Sequence, residues 1–122
     1  MDSPTLEQTE AYSAARATHP RVTLDSMKAK IISEDYFTVG EAIRLAGGNP
    51  HPSLDILTLC ILVTETGFTI VGKSAPASPE NFDMEKGRRF AYEDAIEQLW
   101  PLEGYLLRSN LHNIENQALS QA

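Results

Sequence analysis

Two apolar segments joined by a short turn place the tightest constraint on how this chain folds. The first is "LDILTLCILVTE" at residues 54–65 and the second is "FTIVGKS" at residues 68–74, both rich in β-branched and aliphatic residues. Thr66 and Gly67 between them are a turn signal, so the pattern predicts an antiparallel β-hairpin. Apolar residues occupy both faces of the first segment, which is typical of strands covered on two sides.

A long helix is predicted to follow, beginning near Asp83. Its small and apolar residues recur at helical spacing: Met84, Gly87, Ala91, Ala95 and Leu99. The small members allow a close approach to the hairpin. Ile96 and Trp100 lie on another side, so this helix needs more than one covering layer or a subunit contact. Pro101 lacks a backbone donor, which predicts a kink there or a stop at Leu99 followed by a restart.

The segment before the hairpin predicts another helix. Thr23 is a suitable cap, and Leu24, Met27 and Ile31 recur at helical spacing, so we expect a helix over 23–35. "GEAIRLAGG" then fits a short helix stopped by glycines, and "NPHPS" fits a loop. Together the elements predict an α+β fold, in which an antiparallel hairpin or small sheet packs against the long C-terminal helix and an N-terminal helix.

Domain organisation follows from length and composition. At 122 residues the chain fits one domain with one modest core. We expect residues 1–20 to form an arm that is partly helical or disordered, residues 21–111 to form the single α+β domain, and residues 112–122 to be a polar, frayed tail. The role of the loop at 40–55 is open, and an excursion of this length often lies over a binding surface or subunit contact.

Charge and residue usage exclude several classes of function. The net charge of −7 argues against a surface that binds a nucleic acid polymer. Cys60 is the single cysteine and lies in an apolar run, so no disulfide framework is expected. His19, His51 and His112 are too far apart to suggest a metal site, and no cofactor motif is present. No signal peptide or membrane-spanning run is apparent, so we expect a cytosolic protein without a membrane partner.

One stretch stands out as a candidate site: "KSAPASPENFDMEKGRRF" at residues 73–90. It delivers Phe82 to the start of the long helix, where Asp83, Asn81 or Ser78 could cap the exposed amides. The nearby basic residues are Lys73, Lys86, Arg88 and Arg89. Cations and a positive helix end suit a phosphate, and an aromatic face suits a stacked base. The alternative is that Phe82 staples the helix start to the core and the charges are solvated.

The chain from residue 57 to residue 111 resembles a family of small proteins encoded by tailed bacteriophages and prophages. The residues that carry the resemblance are the turn "TGF", the loop pattern "GxSAxxxPxNFD" and the helix pattern "WxLEGYLL". The resemblance implies a phage or prophage source and hence a site of action in the host cytoplasm.

A looser resemblance is to the phage anti-defence sponges that counter Thoeris immunity. Those proteins are small oligomers that bind a cyclic ADP-ribose signal without cleaving it, and their matching residues here are Phe82 and Arg108. The resulting hypothesis is a homo-oligomeric protein, not an enzyme, that sequesters a nucleotide-type immune signal. Phe82 would stack on the base and Asn81 or Ser74 would make polar contacts. The arginines predicted to meet phosphates are Arg88, Arg89 and Arg108.

A second hypothesis is a phage accessory module that binds a host or phage protein. Its contact residues would be Ile96, Trp100 and the loop at 40–55, since these offer apolar surface or an extended excursion. An enzyme ranks third, because no group of acids, bases or nucleophiles stands out from its surroundings.

Overall fold

The computed structural model describes residues 1–16 and 20–121. Four helices and three strands occur in these residues, together with short 3-10 turns at Pro52–Ile56 and Pro79–Asn81. In chain order they are α1 (Pro4–Arg16), α2 (Leu24–Lys30), β1 (Ile31–Thr38), α3 (Val39–Leu45), β2 (Thr58–Thr64), β3 (Thr69–Ser74) and α4 (Met84–Gln121). The predicted α+β class is confirmed, with the long C-terminal helix and a helix before the sheet.

The sheet has three antiparallel strands in the order β1-β2-β3. β2 and β3 form the predicted hairpin, and their register places Cys60 opposite Gly72 and Leu62 opposite Ile70. Gly67 in the connecting turn has a φ of +83°, a left-handed value that side-chain-bearing residues rarely adopt. The turn residue therefore fixes the register that the apolar pattern requires.

The helix predicted over 23–35 is wrong beyond Lys30. Thr23 caps α2 in a reciprocal capping box with Ser26, but Ile31 is already extended and begins β1. β1 pairs with β2, and Tyr36 lies opposite Cys60. Helical spacing is a local signal, whereas β1 gains its backbone hydrogen bonds and packing from a strand more than twenty residues away, and the distant pairing prevails.

The core lies between one face of the sheet and α4. Its buried members are Leu24, Met27, Cys60, Leu62, Ile70, Ala91, Tyr92, Ala95, Ile96 and Leu99. Gly72 lets β3 approach α4 closely, since a Cβ there would lie 2.0 Å from the carbonyl oxygen of Ala91. Ile96 is fully buried in the same core as Met27 of α2, so the second covering layer predicted for this side of α4 lies within the chain, and Ile96 is not available as a subunit or partner contact.

The opposite face of the sheet is less covered than the sequence pattern indicates. Leu59, Ile61 and Val63 of β2 are half-buried there, while Val71 of β3 is exposed. The helix that packs against β2 and β3 is α4, on the other face. The expected covering of both faces is therefore wrong, and the apolar residues of the open face are shielded by their neighbours on adjacent strands.

α4 runs as a helix from Met84 through Pro101 to Gln121. Of the two alternatives predicted at Pro101, the stop at Leu99 is absent, and the segment from His112, expected to fray, is helical. The β2–β3 turn reaches α4 at Leu102 and Leu106, which line a cavity with Phe68.

Two polar links tie the N-terminal elements to the rest of the domain. The Ser3 hydroxyl donates to the Glu93 carboxylate of α4, and Arg21 pairs with Glu10 of α1 at 2.8 Å.

The predicted short helix before the glycines is α3, and Gly47 after it has a φ of +88°. No helix within residues 1–16 and 20–121 has the length and apolar character needed to cross a membrane.

Candidate functional site

The start of α4 is capped by Asp83. Its Oδ1 accepts a hydrogen bond from the backbone N–H of Lys86 at 2.9 Å. Of the three caps that the sequence allowed, Ser78 instead precedes the 3-10 turn, with Pro79 in its first position. The Asp83 carboxylate already satisfies one amide and places a negative charge at this helix end, so an anion here would depend on basic side chains rather than on the helix amides.

A cleft of about 200 Å³ opens beside this helix start. Its lining residues are Ser74, Ala75, Pro76, Asn81, Phe82, Asp83, Lys86, Gly87 and Phe90. Phe82 is half-buried, and its Cε2 atom would lie 3.7 Å from a Cβ added at Gly87. The ring therefore packs near the first turns of α4 and also forms part of the cleft wall, so it combines the two positions that the sequence left open.

The predicted site residues divide into two groups around this cleft. Phe82, Asn81 and Ser74 line it together. Arg88 lines a separate small cavity of about 40 Å³ with Thr58 and other residues, and Arg89 lines one of about 300 Å³ on another side. The arginines thus flank the cleft rather than enter it.

Lys86 connects the cleft to its neighbour. It lines both the Phe82 cleft and the adjoining cavity that contains Arg89. The Arg89 guanidinium carbon lies 5.2 Å from the centre of the Phe90 ring, within the range of a cation–π contact. A ligand that reached from Phe82 across Phe90 would therefore meet two cations in succession.

Arg108 lies far from the cleft within one chain. It follows Asp83 by 25 positions on a continuous helix, which corresponds to roughly 37 Å of helix axis at 1.5 Å per residue. The structure therefore does not bring Arg108 together with Phe82 in a single protomer.

Phe90 is the cleft residue that the sequence reasoning missed. The sequence patterns do not place it in the site, although it follows Lys86 by four positions on a helix and so shares a face with it. Phe90 is 47% exposed, and with Phe82 it gives the cleft a second aromatic ring. The i, i+4 spacing of a cation and an aromatic was the signal that could have identified it.

Thr58 is a second residue without a sequence signal. Its side chain is buried under α4, and its hydroxyl makes no hydrogen bond to any of the residues that the structure describes. A Cβ at Gly87 would lie 2.8 Å from this oxygen, so glycine is needed where α4 crosses Thr58. The helix turn that lines the cleft is thereby held close to the sheet.

Another cavity, of about 230 Å³, lies at the β2–β3 turn. Phe68, Leu99, Leu102 and Leu106 are its main apolar lining residues. Lys30 and Glu103 also border it, but they pair with each other at 2.6 Å. The cavity is therefore suited to an apolar group and offers no unpaired lysine or arginine from its described lining to a phosphate.

The remaining groups of chemical interest are buried or dispersed. Burial raises the pKa of the Cys60 thiol to about 11 and that of Tyr92 to about 12, so both are neutral at physiological pH. Within residues 1–16 and 20–121, no three His, Cys, Asp or Glu side chains converge as metal ligands. His51 Nδ1 accepts a hydrogen bond from the Ser53 amide, and His19 lies outside the described residues.

The fold and the cleft define a small α+β protein in which two phenylalanines, Phe82 and Phe90, and three basic residues, Lys86, Arg88 and Arg89, lie where the long helix begins. A family model described as "Phage protein (N4 Gp49/phage Sf6 gene 66) family" matches residues 22–111. The chain belongs to this family, which confirms the resemblance to small phage proteins. Comparison with curated proteins and with solved structures found no match. The matched range begins after α1 and ends within the second half of α4.

Proposed function

We propose that this phage protein binds a nucleotide-type signalling molecule of the host immune response and holds it without cleaving it. A cyclic ADP-ribose-like compound is the ligand class we favour. The observation that carries the proposal is the cleft lined by Phe82 and Phe90, with Lys86 at the boundary to the Arg89 cavity. Sequestration of such a signal in the host cytoplasm would counter antiphage defence.

The ligand contacts follow from the chemistry of the lining. The base stacks on Phe82, since an aromatic face binds any base without a hydrogen-bond code. Asn81 and Ser74 line the same cleft and offer an amide and a hydroxyl to the polar edge of the base or to a ribose. The Asp83 carboxylate can accept hydrogen bonds from ribose hydroxyls but repels phosphate, so the phosphates must lie toward the cations.

The cations define where those phosphates lie. Lys86 is in the cleft, Arg89 is in the adjoining cavity, and Arg88 is on another side of the same helix. Lys86 and Arg89 are i, i+3 neighbours on α4 and line one cavity, whereas Arg88 lines another, so one bound phosphate is served best by Lys86 and Arg89. Arg88 is left to contribute to the local potential or to a more distant group.

The size of the cleft implies that one chain encloses only part of the ligand. Its volume of about 200 Å³ is below the roughly 300–1,000 Å³ typical of ligand pockets. A base fits inside, and the sugars and phosphates extend over the rim. We therefore include a homo-oligomer in the proposal, in which a neighbouring chain covers the exposed part of the ligand.

The direct test is a melting-temperature and calorimetry series with cyclic ADP-ribose isomers, using cyclic oligonucleotides as the comparison. A ligand at 100 times its Kd should stabilise the fold by about 2.7 kcal/mol, which is readily seen as a higher melting temperature. Recovery of the ligand unchanged after prolonged incubation supports sequestration, and its conversion refutes it. The absence of any response to both ligand classes rejects the proposal.

Two phenylalanine substitutions locate the site. Phe82→Ala should weaken binding by roughly 5- to 150-fold, since stacking contributes about 1–3 kcal/mol per base. Phe68→Ala is the matched control, because Phe68 is 54% exposed and lines the other cavity. Equal loss of binding in both variants, or a large fall in melting temperature for Phe82→Ala alone without ligand, would show that Phe82 acts through folding rather than contact.

A second function is favoured by the loop at 40–55. Arg44 of α3 pairs with Asp55 of the following 3-10 turn at 2.7 Å, which links the two sides of the loop. Leu45 is 83% exposed on it. We propose as the alternative that this phage accessory protein binds a host or phage protein through this surface. Leu45→Asp should then abolish recovery of one partner in a pull-down while Phe82→Ala leaves it unchanged.

A further inference from the structure

The second half of α4 carries a repeating apolar seam. From Trp100 onward, apolar or small residues recur at alternating spacings of four and three: Trp100, Gly104, Leu107, Leu111, Ile114 and Ala118. This heptad spacing is the pattern with which two helices pack along their length. Leu107 and Leu111 are half-buried, and Ile114 is 61% exposed. We call the part of this pattern between residues 104 and 121 the outer seam.

Two opposite charges flank the outer seam. Arg108 and Glu115 each follow a seam leucine or isoleucine by one position, so they border the same edge of the helix. Both are exposed, and neither forms an ion pair with any residue of 1–16 or 20–121. They stand seven positions apart, roughly 10 Å along the axis, and so do not pair with each other in one helix.

We infer that the outer seam docks on the outer seam of a second copy of this chain in antiparallel orientation. In that register Leu111 packs against Ile114 of the second copy, and Leu107 packs against Ala118 of the second copy. Arg108 then faces Glu115 of the second copy, and the two-fold symmetry repeats the same ion pair at the other end. The opposite edge aligns Asn110 with Gln117, two amides that can hydrogen-bond.

The charge pattern favours this orientation over a parallel one. A parallel pairing with the same heptads would oppose Arg108 to Glu103 of the second copy. Glu103 is already paired with Lys30 at 2.6 Å, and its side chain is only 13% exposed. A parallel arrangement would also place both sheets at the same end of the helix pair. The antiparallel arrangement separates the two domains and uses the charges that are unpaired.

The length of the outer seam sets the expected affinity of the two copies for each other. The outer seam spans 18 residues, or roughly 27 Å, so it is a short interface that we expect to dissociate in the micromolar range. The inference does not rest on ligand binding. It gives Arg108 a subunit contact that is far from Phe82, whether or not the cleft binds a nucleotide.

Charge reversal with rescue tests the register. Arg108→Glu and Glu115→Arg should each weaken self-association by about tenfold at low salt, because two attractive pairs become two repulsive ones. An equimolar mixture of these two variants should associate as well as the unmodified chain, since each mixed dimer has two opposite-charge pairs. The double variant Arg108→Glu/Glu115→Arg should also recover. Sedimentation velocity over a concentration series measures all four.

Ile114→Asp provides the apolar control. Ile114 is largely exposed, so the fold should keep its melting temperature when measured in dilute solution, while the dimer is lost. A monomer for the unmodified chain at about 200 µM, well above the expected micromolar Kd, would overturn the inference. Association of the mixed variants no stronger than that of each variant alone would overturn the antiparallel register. Unchanged association of Ile114→Asp would place the interface elsewhere.

Discussion

Gly72→Ala tests how closely β3 packs against α4. Cβ at this position would lie 2.0 Å from the carbonyl oxygen of Ala91, 2.7 Å from the amide nitrogen of Ala95 and 2.9 Å from the Ala95 methyl. Ordinary contacts begin at 3.4 Å, so the two backbones would have to separate by about 1.4 Å. Two of the three obstacles are backbone atoms, which cannot turn away as a side chain can.

The expected loss of stability in Gly72→Ala follows from that displacement. Forcing extra volume into a packed core costs typically about 1–3 kcal/mol, and we expect the upper end of that range because a whole helix must move. For a domain of this size, 1 kcal/mol corresponds to roughly 4 °C, so the melting temperature should fall by about 12 °C. Urea unfolding followed by circular dichroism gives the free energy of unfolding directly.

Gly104→Ala is the matched control. It is the same substitution, made in α4 rather than in the strand that packs on it, and a Cβ there would meet nothing within 4 Å. Helix propensity then favours alanine by about 1 kcal/mol, so this variant should be more stable than the unmodified chain. A Gly72→Ala variant that unfolds within about 2 °C of the unmodified chain would refute the close packing of β3 on α4.

Two other predictions concern the buried interior. Stability should fall as the pH rises above about 9, because burial raises the pKa of Cys60 to about 11 and of Tyr92 to about 12, and unfolding releases their protons at the usual lower values. Urea unfolding at pH 7 and in the alkaline range measures this, and Cys60→Ala should flatten the decline, whereas a pH-independent free energy of unfolding contradicts it. Thr58→Val should leave stability unchanged or raise it by up to about 1 kcal/mol, since it removes a buried hydroxyl that has no partner among the described residues. A loss of more than 1 kcal/mol would show that this hydroxyl is hydrogen-bonded.

The parts of the fold that the sequence predicted are those with local signals. The hairpin of β2 and β3 has β-branched strands and a glycine at its turn, and α4 has regular spacing on both sides of Pro101. β1 lacked such a signal, because no glycine or proline separates Lys30 from Ile31 and the helical spacing of α2 continues across that boundary. The third strand is revealed by its pairing with β2, in which Tyr36 lies opposite Cys60.

In the candidate site, too, the sequence predicted the residues that are close together along the chain and missed those that the tertiary structure brings in. Phe82, Asn81 and Ser74 are close in sequence to one loop and helix start, and they do line one cleft. Phe90 and Thr58 reach that region through the helix turn and through the sheet. Their placement depends on the rotation of α4 over β2, which spacing alone does not specify.

Pro101 makes α4 easier to bend at one point than a helix without proline. Without a backbone N–H at Pro101, the Glu97 carbonyl loses its usual helical donor, and the ring crowds that carbonyl. The proline lies between the half of α4 that packs on the sheet and the half that carries the outer seam. We therefore expect α4 to bend more easily at Pro101 than elsewhere. In two chains joined through their outer seams, this bending would change the angle between the two sheets while both cores stay intact.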